Sequence, residues 1–239
     1  MIEVRRRLRG WRDDAGVTLV ETLVVMVLSA LLMSITVGFF VTVTKHTMQS
    51  EDARRSTADA SNIMNAVSTA IRASVRNAVQ TAVTPDPAIV EGDANSLTVI
   101  SYTDAGVAGE VGAAFETPLM LRYRVDGEGR MLEDRWAAVV NSRGYAVFPD
   151  TSVDPDSTRI LGNVVVNTVA DPLFRYYNAS GVQLEPGRGL SPEQRSVITS
   201  VRFTVKVRSD DSRETVELDN KVGMPNVDLG LADDQDEED

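Results

Sequence analysis

Hydrophobic and polar positions divide the chain into an apolar run, a polar neck, a periodic stripe and a series of short alternating segments. Residues 17–44 read VTLVETLVVMVLSALLMSITVGFFVTVT, with Glu21 as the only charge. The 23 residues from Thr22 to Thr44 are uncharged throughout. At about 1.5 Å per residue they form a helix of about 34 Å, enough to cross a hydrocarbon layer. Residues 45–58 are much more polar. Beyond them Ala60, Ile63 or Met64, Val67, Ile71 and Val75 recur at helical spacing and place one apolar stripe over residues 60–78. Alanines and long polar side chains favour helix here, and no proline interrupts before Pro85. The pattern predicts one helix from about residue 18 to 80: a span, a neck and a stripe that packs on a sheet.

TPDPAIVEGDANS at 84–96 carries turn and breaker residues and ends that helix. Strand candidates follow at 97–102, 118–125, 129–136, 158–167 and 172–178. The clearest alternation is VITSVRFTVKVRS at 197–209, with Val201, Phe203, Val205 and Val207 on one side and Arg202, Thr204, Lys206 and Arg208 on the other. SRETVELDNKV at 212–222 completes a hairpin through SDDS. The expected fold is α+β: a long N-terminal helix, half membrane-spanning and half amphipathic, packed on an antiparallel sheet rather than a parallel nucleotide-binding one. The expected organisation is 1–16 leader, 17–44 hydrophobic helix, 45–83 neck and amphipathic helix, 84–223 β-rich domain and 224–239 acidic, disordered tail.

Charge orients this arrangement. Arg5, Arg6, Arg7, Arg9 and Arg12 precede the span and favour a cytoplasmic N-terminus, with everything after Lys45 outside. A general secretory signal has a shorter apolar core and a small-residue cleavage site, which VGFFVTVTKH does not offer, so the helix is expected to be retained. The net charge of −11, from 24 Lys and Arg against 35 Asp and Glu, disfavours direct nucleic-acid binding. With no cysteine and one histidine, thiolate chemistry is excluded and a histidine metal site is disfavoured. Burying Glu21 in lipid costs several kcal/mol unless it snorkels, is protonated or finds a cation. A new N-terminal amine on a neighbouring chain would supply that cation in a bundle of such helices.

A basic leader ending in Gly16, then Val17, Thr18, Leu19, Val20 and Glu21, resembles the class III signal of type IV pilins and type II secretion pseudopilins. The resemblance implies cleavage by prepilin peptidase between Gly16 and Val17, N-methylation of Val17, and subunit registration by Glu21, which pairs with an adjoining subunit's N-terminus. Valine departs from the usual phenylalanine or methionine at the first mature position. The segments LMLRYRVDGEGRMLEDRW, ILGNVVVNTVADPLFRYYNASG and SVRFTVKVR with ETVELDN are similar to the central strands and final hairpin of J-class minor pseudopilins. The implied role is a structural minor subunit of a pilus or secretion pseudopilus, initiating or capping the filament. Its implied partners are other minor and major pilins or pseudopilins, a membrane platform and an assembly ATPase, with no cofactor. The alternative is a membrane-anchored exported binding domain.

Other residues read as structural. Asp150, Asp154 and Asp156 are oxygen donors without an EF-hand ligand set or its glycine, so a solvated turn is expected rather than a calcium site. Glu133 and Asp134 occupy adjacent strand positions, face opposite sides and form no acid–base pair, and the chain is not expected to be an enzyme. His46 reads as a neck residue; Tyr176 and Tyr177 after Phe174 read as one core and one surface contact; Gly127, Gly129, Gly187 and Gly189 read as turns. Asn178 fits a minimal glycosylation sequon. ADDQDEED is an acidic segment without an apolar anchor.

Overall fold

The computed structural model describes residues 18–80, 82, 84–102, 117–163, 165–168, 170–208 and 215–227. The leader with Gly16 and Val17, the SDDS turn and residues 228–239 lie outside the described residues. The chain divides into two units, Met1–Met48 and Gln49–Asp239. Helix α1 (Leu19–Arg72) contributes to both. In the first unit every described residue is exposed, apolar side chains included.

In the second unit the expected stripe is the buried face of α1. Ala60, Ile63, Val67, Ala70 and Ile71 are fully buried, while Met64 packs only at its edge. At about 1.5–3 kcal/mol for each large aliphatic side chain removed from water, this face is the main source of helix stability. The helix ends at Arg72 rather than near 80. The Ser74 hydroxyl donates to the Ile71 carbonyl at 2.6 Å, and the Val75 N–H donates to the Ile100 carbonyl at 3.0 Å. Tertiary strand-like pairing therefore overrides the helix propensity of residues 75–80.

The strands are β1 (Ile89–Gly92), β2 (Ser96–Ser101), β3 (Leu119–Val125), β4 (Met131–Ala137), β5 (Val139–Val140), β6 (Ala146–Val147), β7 (Ser157–Gly162), β8 (Phe174–Asn178), β9 (Gln183–Leu184), β10 (Ile198–Arg208) and β11 (Thr215–Gly223). A short helix, α2 (Pro192–Val197), precedes β10. All the pairings are antiparallel, as expected, but the strands form separate sheets: β1-β2-β3-β4-β7, β11-β10-β8-β9 and the small β5-β6 pair. β1 arises inside the segment expected to be turn, where Ala88 and Ile89 are buried. Met224 and Val227 are also buried, so the packed domain extends past 223.

Both large sheets contribute to one core around α1. Leu97, Val99, Leu121 and Tyr123 come from the first, and Phe174, Tyr176, Val201, Phe203 and Val205 from the second. Phe174 and Phe203 stack with centroids 5.1 Å apart. The helix backbone accepts a hydrogen bond from Ser101 of β2 at Ala70 (2.9 Å), and its Ser68 hydroxyl accepts one from Asn220 of β11 (3.3 Å). At the end of β7, Gly162 permits a close approach: a Cβ there would lie 2.8 Å from Ile63 Cδ1.

The opposite face of the five-stranded sheet is covered by residues 148–156. Arg122 donates to the Thr151 carbonyl at 3.2 Å, Trp136 Nε1 donates to the Val153 carbonyl at 3.0 Å, and Asp156 accepts from the Ala137 N–H at 2.8 Å. Asp150 accepts from the Ser152 N–H at 2.9 Å. Two of the three aspartates considered for calcium thus serve the backbone, and among the described residues no group of three acidic or histidine side chains converges on a metal position.

Candidate functional site

The first turn of α1 is built by Thr18. Its side-chain oxygen accepts the Glu21 N–H at 3.2 Å, and its carbonyl accepts the Thr22 N–H at 3.2 Å. Thr18 therefore acts as the N-cap and Glu21 stands in the first turn, where unpaired N–H groups and the helix dipole favour a carboxylate. The spacing Thr18-x-x-Glu21 is a capping signature legible in the sequence. Glu21 is exposed, with no cationic partner among the described residues.

Along the following run the threonine hydroxyls are satisfied inside the helix. Thr22 donates to the Leu19 carbonyl at 2.9 Å, Thr36 to Leu32 at 2.8 Å, Thr42 to Gly38 at 2.9 Å and Thr44 to Phe40 at 2.9 Å. These polar side chains present no unmet donor to an apolar medium. Leu23, Met26, Leu31, Met33, Phe39 and Phe40 are all at least 55% exposed. An apolar surface on every side of a helix requires lipid or other helices around it. The helix is long and apolar enough to cross a membrane and fits a single-pass anchor.

Glu133 and Asp134, the adjacent carboxylates of β4, are almost fully buried and belong to two separate networks. Glu133 accepts from Tyr123 Oη at 3.0 Å, Arg135 Nε at 2.6 Å and Arg159 Nη2 at 3.0 Å. Asp134 accepts from Arg124 Nε at 2.7 Å and Thr158 Oγ1 at 2.8 Å, with Arg122 Nε at 3.4 Å. Burial pushes the Asp134 carboxyl up, but the hydrogen bonds from Arg124 and Thr158 and the neighbouring guanidinium charges outweigh it and hold it below the usual range. Burial and the Glu133 charge push Tyr123 well above the ordinary phenol value. Each carboxylate faces its own cations, so the two act as cross-strand ties and share no proton.

The remaining candidates are structural. Tyr176 is buried and donates to the Asp93 carbonyl at 2.8 Å, whereas Tyr177 lies under Lys221 Nζ, 4.0 Å from its ring centroid. Gly129, Gly187 and Gly189 occupy positive φ in turns, and His46 is an exposed helical residue.

The prokaryotic N-terminal methylation motif matches residues 11–37, from inside the basic leader through the capped helix start and Glu21 into the apolar run. The match covers the N-terminal segment alone, and in that segment the chain is similar to type IV pilin-like proteins. No curated protein matches it.

Proposed function

We propose that the protein is a structural minor subunit of a type IV pilus or type II secretion pseudopilus. Prepilin peptidase cleaves between Gly16 and Val17 on the cytoplasmic side and methylates the Val17 amine. The domain beyond the span lies outside the membrane. In the filament the apolar run exchanges lipid for sister helices, and Glu21 accepts the charged N-terminus of a neighbouring subunit. A membrane platform and an ATPase drive that exchange, and the subunit initiates or caps the filament.

The observation that carries this reading is the methylation motif lying across a capped, lipid-compatible helix start with Glu21 in its first turn. The N-terminus of membrane-extracted protein is to be determined by mass spectrometry in cells with and without prepilin peptidase. N-methylated Val17 that depends on the peptidase is the expected result. An intact leader in both strains overturns it and leaves a membrane-anchored exported binding domain. In processed protein, Glu21→Ala is expected to leave the outer domain folded and to reduce co-assembly with sister subunits. Unchanged incorporation would remove the pairing role from Glu21.

A further inference from the structure

The Glu133 network opens into a cavity of about 520 Å³ between α1 and the β4–β7 edge. Its walls include Arg135 and Arg159 on the sheet, with Asn62, Asn65 and Thr69 on one face of the helix. Glu133 engages a single N–H of each guanidinium, Nε of Arg135 and Nη2 of Arg159. A guanidinium carries five N–H donors, and the others find no partner among the described residues. The side chains of Asn62, Asn65 and Thr69 are likewise without a hydrogen bond among the described residues, and all three residues are exposed. Two cations face one carboxylate, so the cavity retains positive charge and a surplus of donors.

The adjoining backbone has the form an extended peptide needs. β7 is the outer strand of the five-stranded sheet, and its residues from Ser157 to Ile160 are exposed. An edge strand pairs with an added strand through main-chain hydrogen bonds, and alternate side chains of that strand then project to the same side. On the helix side of β7, carboxylates at such positions would meet Arg159 and Arg135, which favours a peptide over a compact anion. The same sequence carries a segment of that chemistry: Asp233, Asp234, Asp236, Glu237, Glu238 and Asp239.

We propose that the β7 edge and the Arg135–Arg159 cavity form a docking site for an extended acidic peptide, and that its occupant is the run at residues 233–239 of a second copy. This goes beyond the filament reading and depends on neither leader cleavage nor Glu21. The test is fluorescence anisotropy of a labelled ADDQDEED peptide titrated with the full chain in neutral detergent. Saturable binding that weakens at least tenfold between 50 mM and 500 mM salt is expected, since screening acts strongly on such contacts. Arg135→Gln combined with Arg159→Gln is expected to weaken binding at least tenfold, and Arg188→Gln with Arg208→Gln is expected to leave it unchanged. Because the first pair also releases Glu133, Asn65→Asp provides a second variant: it sets a carboxylate at the cavity mouth without touching the network and is expected to weaken binding at least threefold. Absence of binding, or binding indifferent to Arg135, Arg159 and Asn65, overturns the proposal. Binding that appears only after residues 228–239 are removed overturns the second-copy assignment in favour of the chain's own run.

Discussion

Asp134→Asn tests whether the buried carboxylates of β4 are ties between strands. The side chain is 1% exposed and links Arg124 and Arg122 of β3 to Thr158 of β7. Removing one partner of a buried ion pair costs about 3–5 kcal/mol because the other is left uncompensated. Here Arg122 and Arg124 keep 22% and 38% exposure, so water recovers part of that loss, and the asparagine oxygen still accepts one hydrogen bond. The expected cost is about 2 kcal/mol, or about 6 °C in Tm for a unit of this size. The assay is thermal unfolding of the full chain in detergent, followed by near-ultraviolet circular dichroism. In an Arg124→Met background the same substitution is expected to cost about half as much, the mark of a direct pair. The pH dependence has a defined sign. The folded carboxyl lies below its ordinary value of 3.8, so its stabilisation is complete above that value and is lost as pH falls through the lowered one. The gap between wild type and variant should therefore close under strong acid. A variant melting within 1 °C of wild type at neutral pH, or a gap that persists unchanged at pH 2, would refute the tie.

Gly162→Ala sets a methyl group 2.8 Å from Ile63 Cδ1 and 3.1 Å from Asp59 Cβ. It is expected to destabilise the domain by about 1–3 kcal/mol in denaturant unfolding, with the cost falling when Ile63 is changed to Val. Thr18→Val removes the side-chain acceptor of the Glu21 N–H. A loss of about 1 kcal/mol is expected at that helix end, read as roughly fivefold faster amide exchange at Glu21 in detergent.

The elements legible in the sequence were those whose solvent differs sharply between faces. The stripe through Ala60, Ile63, Val67 and Ile71 and the alternation through Val201 to Val207 each have a core side and an open side, so period alone reveals them. β4 was legible as a strand but not in its burial. It is covered on both faces, and MLEDRW buries Glu133 and Asp134 beside Met131 and Trp136, a burial that alternation along the strand does not reveal. The helix end was lost because residues 73–80 contain no proline or glycine; only pairing with β2 stops the helix. The division into two large sheets and the small β5-β6 pair left no local mark, since sheet membership depends on long-range pairing. α2 did leave one: Ser191, Pro192 and Gln194 form a capping box with proline in its first turn, a pattern missed between the clearer strands.

The carboxylates of the two units obey one rule with different means. Glu133 and Asp134 are buried with guanidinium groups brought to them by the same chain, Arg124 and Arg159 from neighbouring strands and Arg135 from β4 itself. Their charge is thus neutralised before any partner arrives. Glu21 sits at the edge of an apolar run whose threonine hydroxyls are already satisfied within the helix, and the described residues supply it with no cation. At a membrane boundary water can solvate it, but inside a bundle of helices it loses that water, and an unpaired carboxylate there costs several kcal/mol. A device that remains inexpensive in the lipid-anchored subunit and demands a positive group on assembly makes packing conditional on register. Sliding a neighbour by one helical turn, about 5.4 Å, separates the charges and forfeits most of their interaction. On the proposed reading, Glu21 therefore contributes more to where a subunit stops than to how strongly it is held.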